Sequence, residues 1–167
     1  DWTLSRGLGD VYKRQVVIGI ESSGLHSNGY TLVNDMLWRN KIFYKEMPEL
    51  LTPTTIYTRL IQHLLDEVPI LGMAHITGGG LPENLPRCLP KGLTVDVDYN
   101  AWDVPEIFET IQNAGNISDD EMRNVFNMGI GFCLVVPPDA VQLTQEIIND
   151  VPYGMRSWVI GEIKNGS

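Results

Sequence analysis

Val16-Val17-Ile18-Gly19-Ile20-Glu21-Ser22-Ser23-Gly24-Leu25-His26-Ser27-Asn28-Gly29-Tyr30 changes character halfway along its length. The first five residues are an apolar, mostly β-branched run, as a buried strand requires. The next polar residues hold two glycines, three serines, an asparagine and a histidine. From Tyr30 to Trp38 the apolar residues Leu32, Val33, Met36 and Leu37 gather on one side of a helix. A strand, a glycine-serine loop and a helix therefore follow one another. Gly24 and Gly29 allow positive φ and close approach of a ligand to the backbone, while Ser22, Ser23, Ser27 and Asn28 offer short hydrogen-bonding groups. The helix start adds unpaired N–H groups, so a phosphate fits this loop. His26 adds a group whose ordinary pKa lies near 6.5, suited to carrying charge or moving a proton. The same residues also fit a plain turn, with Ser27 or Asn28 capping the helix and His26 exposed.

The pattern repeats downstream. A helix is expected from about Thr54 to Glu67, with Ile56, Leu60, Ile61, Leu64 and Leu65 at helical spacing, after an irregular, proline-bearing connection from Asn40 to Pro53. Ile70 to Ile76 reads as a strand, and Thr77-Gly78-Gly79-Gly80 separates it from a short helix with Pro82 in its first turn. Three consecutive glycines suit a second backbone cradle, with Thr77 and Asn84 as side-chain donors; a tight strand-to-helix turn is the plainer alternative. Asn127-Met128-Gly129-Ile130-Gly131 is either a third wall or a tight connection. Leu93 to Asp98 alternates as a half-buried strand does. Ser118-Asp119-Asp120-Glu121 has the form of a capping box. A helix at about Pro105 to Asn113, a strand at Phe132 to Val136, a helix at Pro138 to Asp150 and a strand at Ser157 to Ile163 complete the alternation. The expected fold is layered α/β, with helices packed on a central mixed sheet.

The chain of 167 residues is long enough for one domain with its own core. Its net charge of −9 repels nucleic acid and anionic membrane surfaces, so neither is an expected partner. A hydrophobic fraction of 43% and a mean hydropathy of −0.06 suit a soluble globular protein, and first residues without the basic-then-apolar order of a secretion signal give the cytoplasm as the expected location. Cys88 and Cys133 have no Cys or His neighbour at metal-ligand spacing, and no metal ligand set is expected. His75 reads as a packed strand residue, His63 as solvated, and Asp96 and Asp98 as members of a solvated strand face. Neither a G-x-S-x-G elbow nor a Walker A loop is present.

The blocks Val16 to Tyr30, Leu51-Thr52-Pro53-Thr54, His75 to Arg87, Phe126 to Gly131 and Trp158-Val159-Ile160-Gly161 resemble, in order, the C-terminal half of aminoimidazole ribonucleotide synthetase, also called phosphoribosylformylglycinamidine cyclo-ligase. That resemblance spans about Val16 to Lys164. It implies an ATP-dependent step of de novo purine biosynthesis: the amide oxygen of formylglycinamidine ribonucleotide is activated as a phosphate, and nitrogen attack closes the imidazole. It further implies a phosphoribosyl substrate, and ATP with Mg2+ held mainly by an N-terminal ATP-binding domain absent from this chain. A homodimer is implied for the full-length enzyme. By the same resemblance, Ser22, Ser23, Gly24, Ser27, Asn28, Gly29, Thr77, Gly78, Gly79, Gly80 and Asn84 line the substrate side of the cleft, with His26 as the catalytic candidate.

Two departures accompany it. Thr55 stands where family members commonly carry arginine. Residues 1–15 fit the family badly and read as a non-native leader ahead of a domain at 16–167, as in a truncated gene. A half enzyme of this kind is expected to be inactive alone. The alternatives are a stand-alone module binding a phosphorylated metabolite, or part of a related ATP-using enzyme such as selenophosphate synthetase or formylglycinamidine ribonucleotide synthetase.

Overall fold

The computed structural model describes residues 14–150 and 152–166; most of the expected leader lies outside the described residues. Five strands, β1 (Val16–Glu21), β2 (Gly72–His75), β3 (Leu93–Val97), β4 (Ile130–Val136) and β5 (Ser157–Asn165), form one sheet in the order β2-β4-β1-β5-β3. Six helices accompany them: α1 (Tyr30–Trp38), α2 (Thr58–Glu67), α3 (Gly80–Arg87), α4 (Glu106–Gly115), α5 (Asp119–Val125) and α6 (Val141–Asn149). The layered α/β architecture is as expected. The pairing is not mixed, because all four ladders are antiparallel. β1 and β2 run the same way, as strand-helix-strand order suggests, but β4 lies between them. Alternation along a chain says which way successive strands run and nothing about which strand is later inserted between them.

β1 occupies the middle of the sheet, and Val16 to Ile20 are all buried. This explains an apolar run with no polar alternation. On one face Ile18, Ile20 and Leu134 pack with Tyr57, Leu60 and Leu64 of the α2 region and Ile148 of α6. The other face places Val17, Cys133 and Val135 against Leu81 and Leu85 of α3. A third core joins Leu25 of the first loop to α1, α4 and α5, with Phe108 and Phe126 edge-on at 5.9 Å. Ser118 caps α5 by accepting the Glu121 N–H at 3.3 Å, and Asn116 ends α4 at φ +53°.

One element boundary shifts for a reason that bears on the site. α2 begins at Thr58 rather than Thr54. The Thr55 N–H is directed at His26, and the Tyr57 hydroxyl at the Glu21 carbonyl. These long-range bonds hold the segment ahead of α2 against the first loop. Ile56 is consequently 81% exposed and Leu65 is 49% exposed, so neither belongs to the buried stripe of α2.

Candidate functional site

Strand register gathers the glycine loops. Glu21 at the end of β1 faces Ile130, and His75 at the end of β2 faces Phe132. The Ser22 N–H donates to the Gly129 carbonyl at 2.8 Å, and that of Ile76 to the Gly131 carbonyl at 2.9 Å. The loops leaving β1 and β2 thus depart from the same end of the sheet, with the 127–131 connection between them. The β1–β4 register shifts at Ile20/Glu21. That irregularity gives Gly131 an unpaired place, of the kind bulges supply beside functional sites. A Cβ on Gly131 would lie 2.1 Å from the Tyr57 hydroxyl and 2.5 Å from His26 Cε1. Glycine is what lets both rings approach the backbone there.

His26 is neither exposed nor charged. It is 5% exposed. Its Nε2 accepts backbone N–H bonds from Ser23 at 3.0 Å and Thr55 at 3.3 Å. With the Nε2 lone pair so engaged, hydrogen bonding assigns the proton to Nδ1. Nδ1 is buried and has no partner among the described residues. Burial lowers the pKa of His26 from 6.5 to about 4, with His75 adding a smaller push in the same direction. Of the two uses open to His26, carrying charge or moving a proton, burial disfavours the first: near neutral pH the ring is a neutral hydrogen-bond donor.

A pH dependence of stability follows. Above pH 6.5 both folded and unfolded chains hold this ring neutral; between 6.5 and about 4 only the unfolded chain gains the proton. Stability falls as pH drops through that window, by on the order of 3 kcal/mol in all. Urea unfolding at pH 7 and pH 4.5 should show this fall, reduced in a His26→Gln variant. An equal fall in both proteins would show that His26 is not its source.

The other expected site residues divide into braces and open positions. Ser22 is buried, and its hydroxyl is shared between the Gly24 carbonyl at 3.0 Å and Asn127 Oδ1 at 3.1 Å. Asn127 is fully buried; its Nδ2 donates to the Gly24 carbonyl at 2.7 Å, and its Oδ1 accepts the Gly129 N–H at 2.8 Å. Ser23 donates its hydroxyl to the Pro53 carbonyl at 2.7 Å. Asn84, expected as a ligand donor, is turned inward: its amide donates to the carbonyl of Gly80 at 2.7 Å and lies within reach of those of Gly78 and Thr77. The Thr77 hydroxyl meets Asn84 Oδ1 at 3.3 Å. Ser22 and Asn84 thus act as braces of their loops, each bonded to backbone carbonyls.

Gly29 and Gly80 are packing positions. A Cβ on Gly29 would meet the Phe126 ring at 2.2 Å, and one on Gly80 would meet the Arg123 carbonyl oxygen at 2.0 Å. Gly79 caps α3 at φ +91°, and Gly29 caps α1 with no side-chain bond, so neither Ser27 nor Asn28 serves as that cap. The open positions are Ser27, exposed at φ +60°, half-buried Asn28, and exposed Gly78, which has nothing within 4 Å of a Cβ.

Sequence reasoning passed over the wall beside His26. A cavity of about 460 Å³ is lined by Thr55, Ile56, Tyr57, Gln62, His75 and Phe132, together with Thr58 and Ile61. Tyr57 is 6.0 Å from the His26 ring, 6.1 Å from His75 and 5.3 Å from Phe132, and His75 stacks on Phe132 at 5.9 Å. His75 is exposed rather than packed into the core. The Tyr57 hydroxyl donates to the Glu21 carbonyl at 2.6 Å, and burial raises its pKa. Glu21 is fixed in turn by Arg156, whose N–H and Nε each lie 2.8 Å from its carboxylate. The position of Thr55 beside the loop was signalled only by its place after the Leu51-Thr52-Pro53-Thr54 block. Nothing in local periodicity marks Tyr57 or Phe132.

An antiparallel sheet with helices on both faces and three glycine turns at one end defines a class of α/β domain. Known members share its fold. The structure of Escherichia coli HypE, a hydrogenase maturation protein, superposes with a TM-score of 0.61 at 18% identity over 92% of this chain and 45% of that one. A chain of a HypE–HypF complex gives 0.61 at 20% identity over 92% and 48%. Likeness at such identity is one of fold. Residues 15–167 match the AIR synthase related protein, C-terminal domain, family, and the chain belongs to it. It is similar to phosphoribosylformylglycinamidine cyclo-ligases, at 49% identity to that of Prochlorococcus marinus strain MIT 9211 over 89% of this chain and 45% of the relative. With the Pseudothermotoga lettingae enzyme the identity is 48%, over 93% and 48%. The chain spans about half the length of these relatives.

Proposed function

We propose that this chain is the C-terminal, substrate-side part of an ATP-dependent cyclo-ligase that converts formylglycinamidine ribonucleotide to aminoimidazole ribonucleotide in de novo purine biosynthesis. The observation that carries this reading is identity of 48–49% to cyclo-ligases over nearly the whole chain. The site geometry supports it, since a phosphoribosyl ligand needs backbone N–H groups and neutral donors on a chain of net charge −9. Ser27, Asn28 and Gly78 are the open loop positions that would meet such a ligand. The Nδ1–H of neutral His26 is buried in this conformation, so a movement of the loop would be needed to bring it to an oxygen that gains charge as the ring closes.

ATP and Mg2+ belong to this proposal as groups held mainly by the N-terminal ATP-binding domain of the enzyme, within a homodimer. When bound, ATP supplies the phosphoryl group that makes the amide oxygen a leaving group. Among the described residues no three His, Cys, Asp or Glu side chains group as a metal ion would require, and no step is assigned to a metal on this chain. No helix of the described residues is long and apolar enough to cross a membrane.

The test joins this chain to the N-terminal half of a cyclo-ligase relative. The joined protein is expected to form aminoimidazole ribonucleotide with ATP, and the chain alone to form none. Turnover by the chain alone would refute the half-enzyme reading. A folded joined protein that binds both substrates without cyclising would refute the reaction.

A further inference from the structure

We propose that the cavity bounded by Ile56, Tyr57, Gln62, His75 and Phe132 is a subsite for a flat nitrogen heterocycle carried by the phosphorylated ligand. Its volume of about 460 Å³ is in the range of small-molecule sites and has room for a one- or two-ring base. The wall chemistry selects a ring. His75 stacks on Phe132 within 24° of parallel and Tyr57 meets His75 edge-on, so the wall of the cavity is aromatic. Base-on-aromatic stacking uses such a surface.

The polar groups of the cavity are hydroxyls, an amide and an imidazole. The hydroxyls of Thr55 and Thr58 and the amide of Gln62 line it, along with the His75 ring, and neither a carboxylate nor a Lys or Arg is present. An amide both donates and accepts, which suits ring nitrogens and an exocyclic amine. A phosphate finds no fixed cation in this cavity. It belongs outside, and the glycine turn beginning at Thr77 lies two residues beyond His75. The ring is thus placed in the cavity and the anionic end at the loops. An 81% exposed Ile56 on the rim then acquires an apolar surface to cover.

The assignment rests on the cyclo-ligase reading for the supply of ring-bearing ligands, of which two chemistries qualify: the purine of a nucleotide and the imidazole of the product. Both share the flat nitrogen ring. The experiment follows the Ile and Thr methyl signals of this chain by NMR during titration with adenosine 5′-monophosphate, aminoimidazole ribonucleotide and ribose 5-phosphate. At least one ring ligand is expected to shift Ile56 and Ile61, and to bind about tenfold tighter than ribose 5-phosphate; which one does so identifies the source of the ring. His75→Ala, on an exposed edge-strand position, and Phe132→Leu should each weaken that ligand about five- to tenfold and leave ribose 5-phosphate unchanged.

The assignment is overturned if neither ring ligand moves Ile56 and Ile61, if ribose 5-phosphate binds equally well, or if His75→Ala leaves ring affinity intact. Turnover in the joined enzyme without ring-dependent shifts would remove this subsite alone. Ring-dependent binding without turnover would remove the reaction alone.

Discussion

His26→Gln, introduced into this chain joined to a cyclo-ligase N-terminal half, is expected to lower turnover about a hundredfold or more while the loop stays folded. The glutamine oxygen reaches the place of Nε2 and can accept the Ser23 and Thr55 N–H bonds that hold the ring. No donor then remains at the position of Nδ1, the nitrogen left without a partner. His26→Asn is the converse: its amide places a donor near Nδ1 and gives up the acceptor. If the role of His26 is chemical, asparagine retains more activity than glutamine and is the less stable variant. Wild-type turnover in His26→Gln, with unfolding free energy within about 1 kcal/mol of the parent, would reduce His26 to a brace for the loop.

The triple glycine should respond unevenly to alanine. Gly80→Ala is expected to cost about 3–5 kcal/mol, from a left-handed backbone and overpacking together. At φ +57° the new Cβ would stand 2.0 Å from the Arg123 carbonyl oxygen, a backbone atom on the end of α5 that has no rotamer to escape into. Gly78→Ala should change stability by less than about 0.5 kcal/mol, since a Cβ there meets nothing within 4 Å. Urea midpoints for the two variants check both values. A Gly78→Ala protein that keeps its midpoint but loses affinity for the phosphoribosyl substrate would place the tip of the loop against the ligand. Similar midpoints for both variants would mean that α3 and α5 are not packed as described.

What could be read from the chain without its structure was whatever repeats with a period or depends on near neighbours. The five buried residues of β1, the limits of α1 and the Ser118 cap all follow from such local patterns. Side-chain direction inside a loop has no period. Ser22, Ser27 and Asn84 are short polar residues of one kind on paper, yet two are turned inward to carbonyls and one faces outward. The brace Asn127 was visible as an asparagine before a glycine pair, but its partner Gly24 lies 103 residues away. Thr54 to Tyr57 misled for the same reason. Their spacing is helical, and bonds to Glu21 and His26 outweigh one turn of helix.

The place of β1 in the sheet constrains how the chain is made. β1, which precedes the other four strands of the sheet in sequence, has β4 on one side and β5 on the other, and β5 ends at Asn165. Until that last segment emerges, an apolar run from Val16 to Ile20 has no neighbour on one flank. Pairing of β1 on that flank must therefore wait until β5 has been made, and until then the nascent chain carries an apolar, aggregation-prone strand with one open edge.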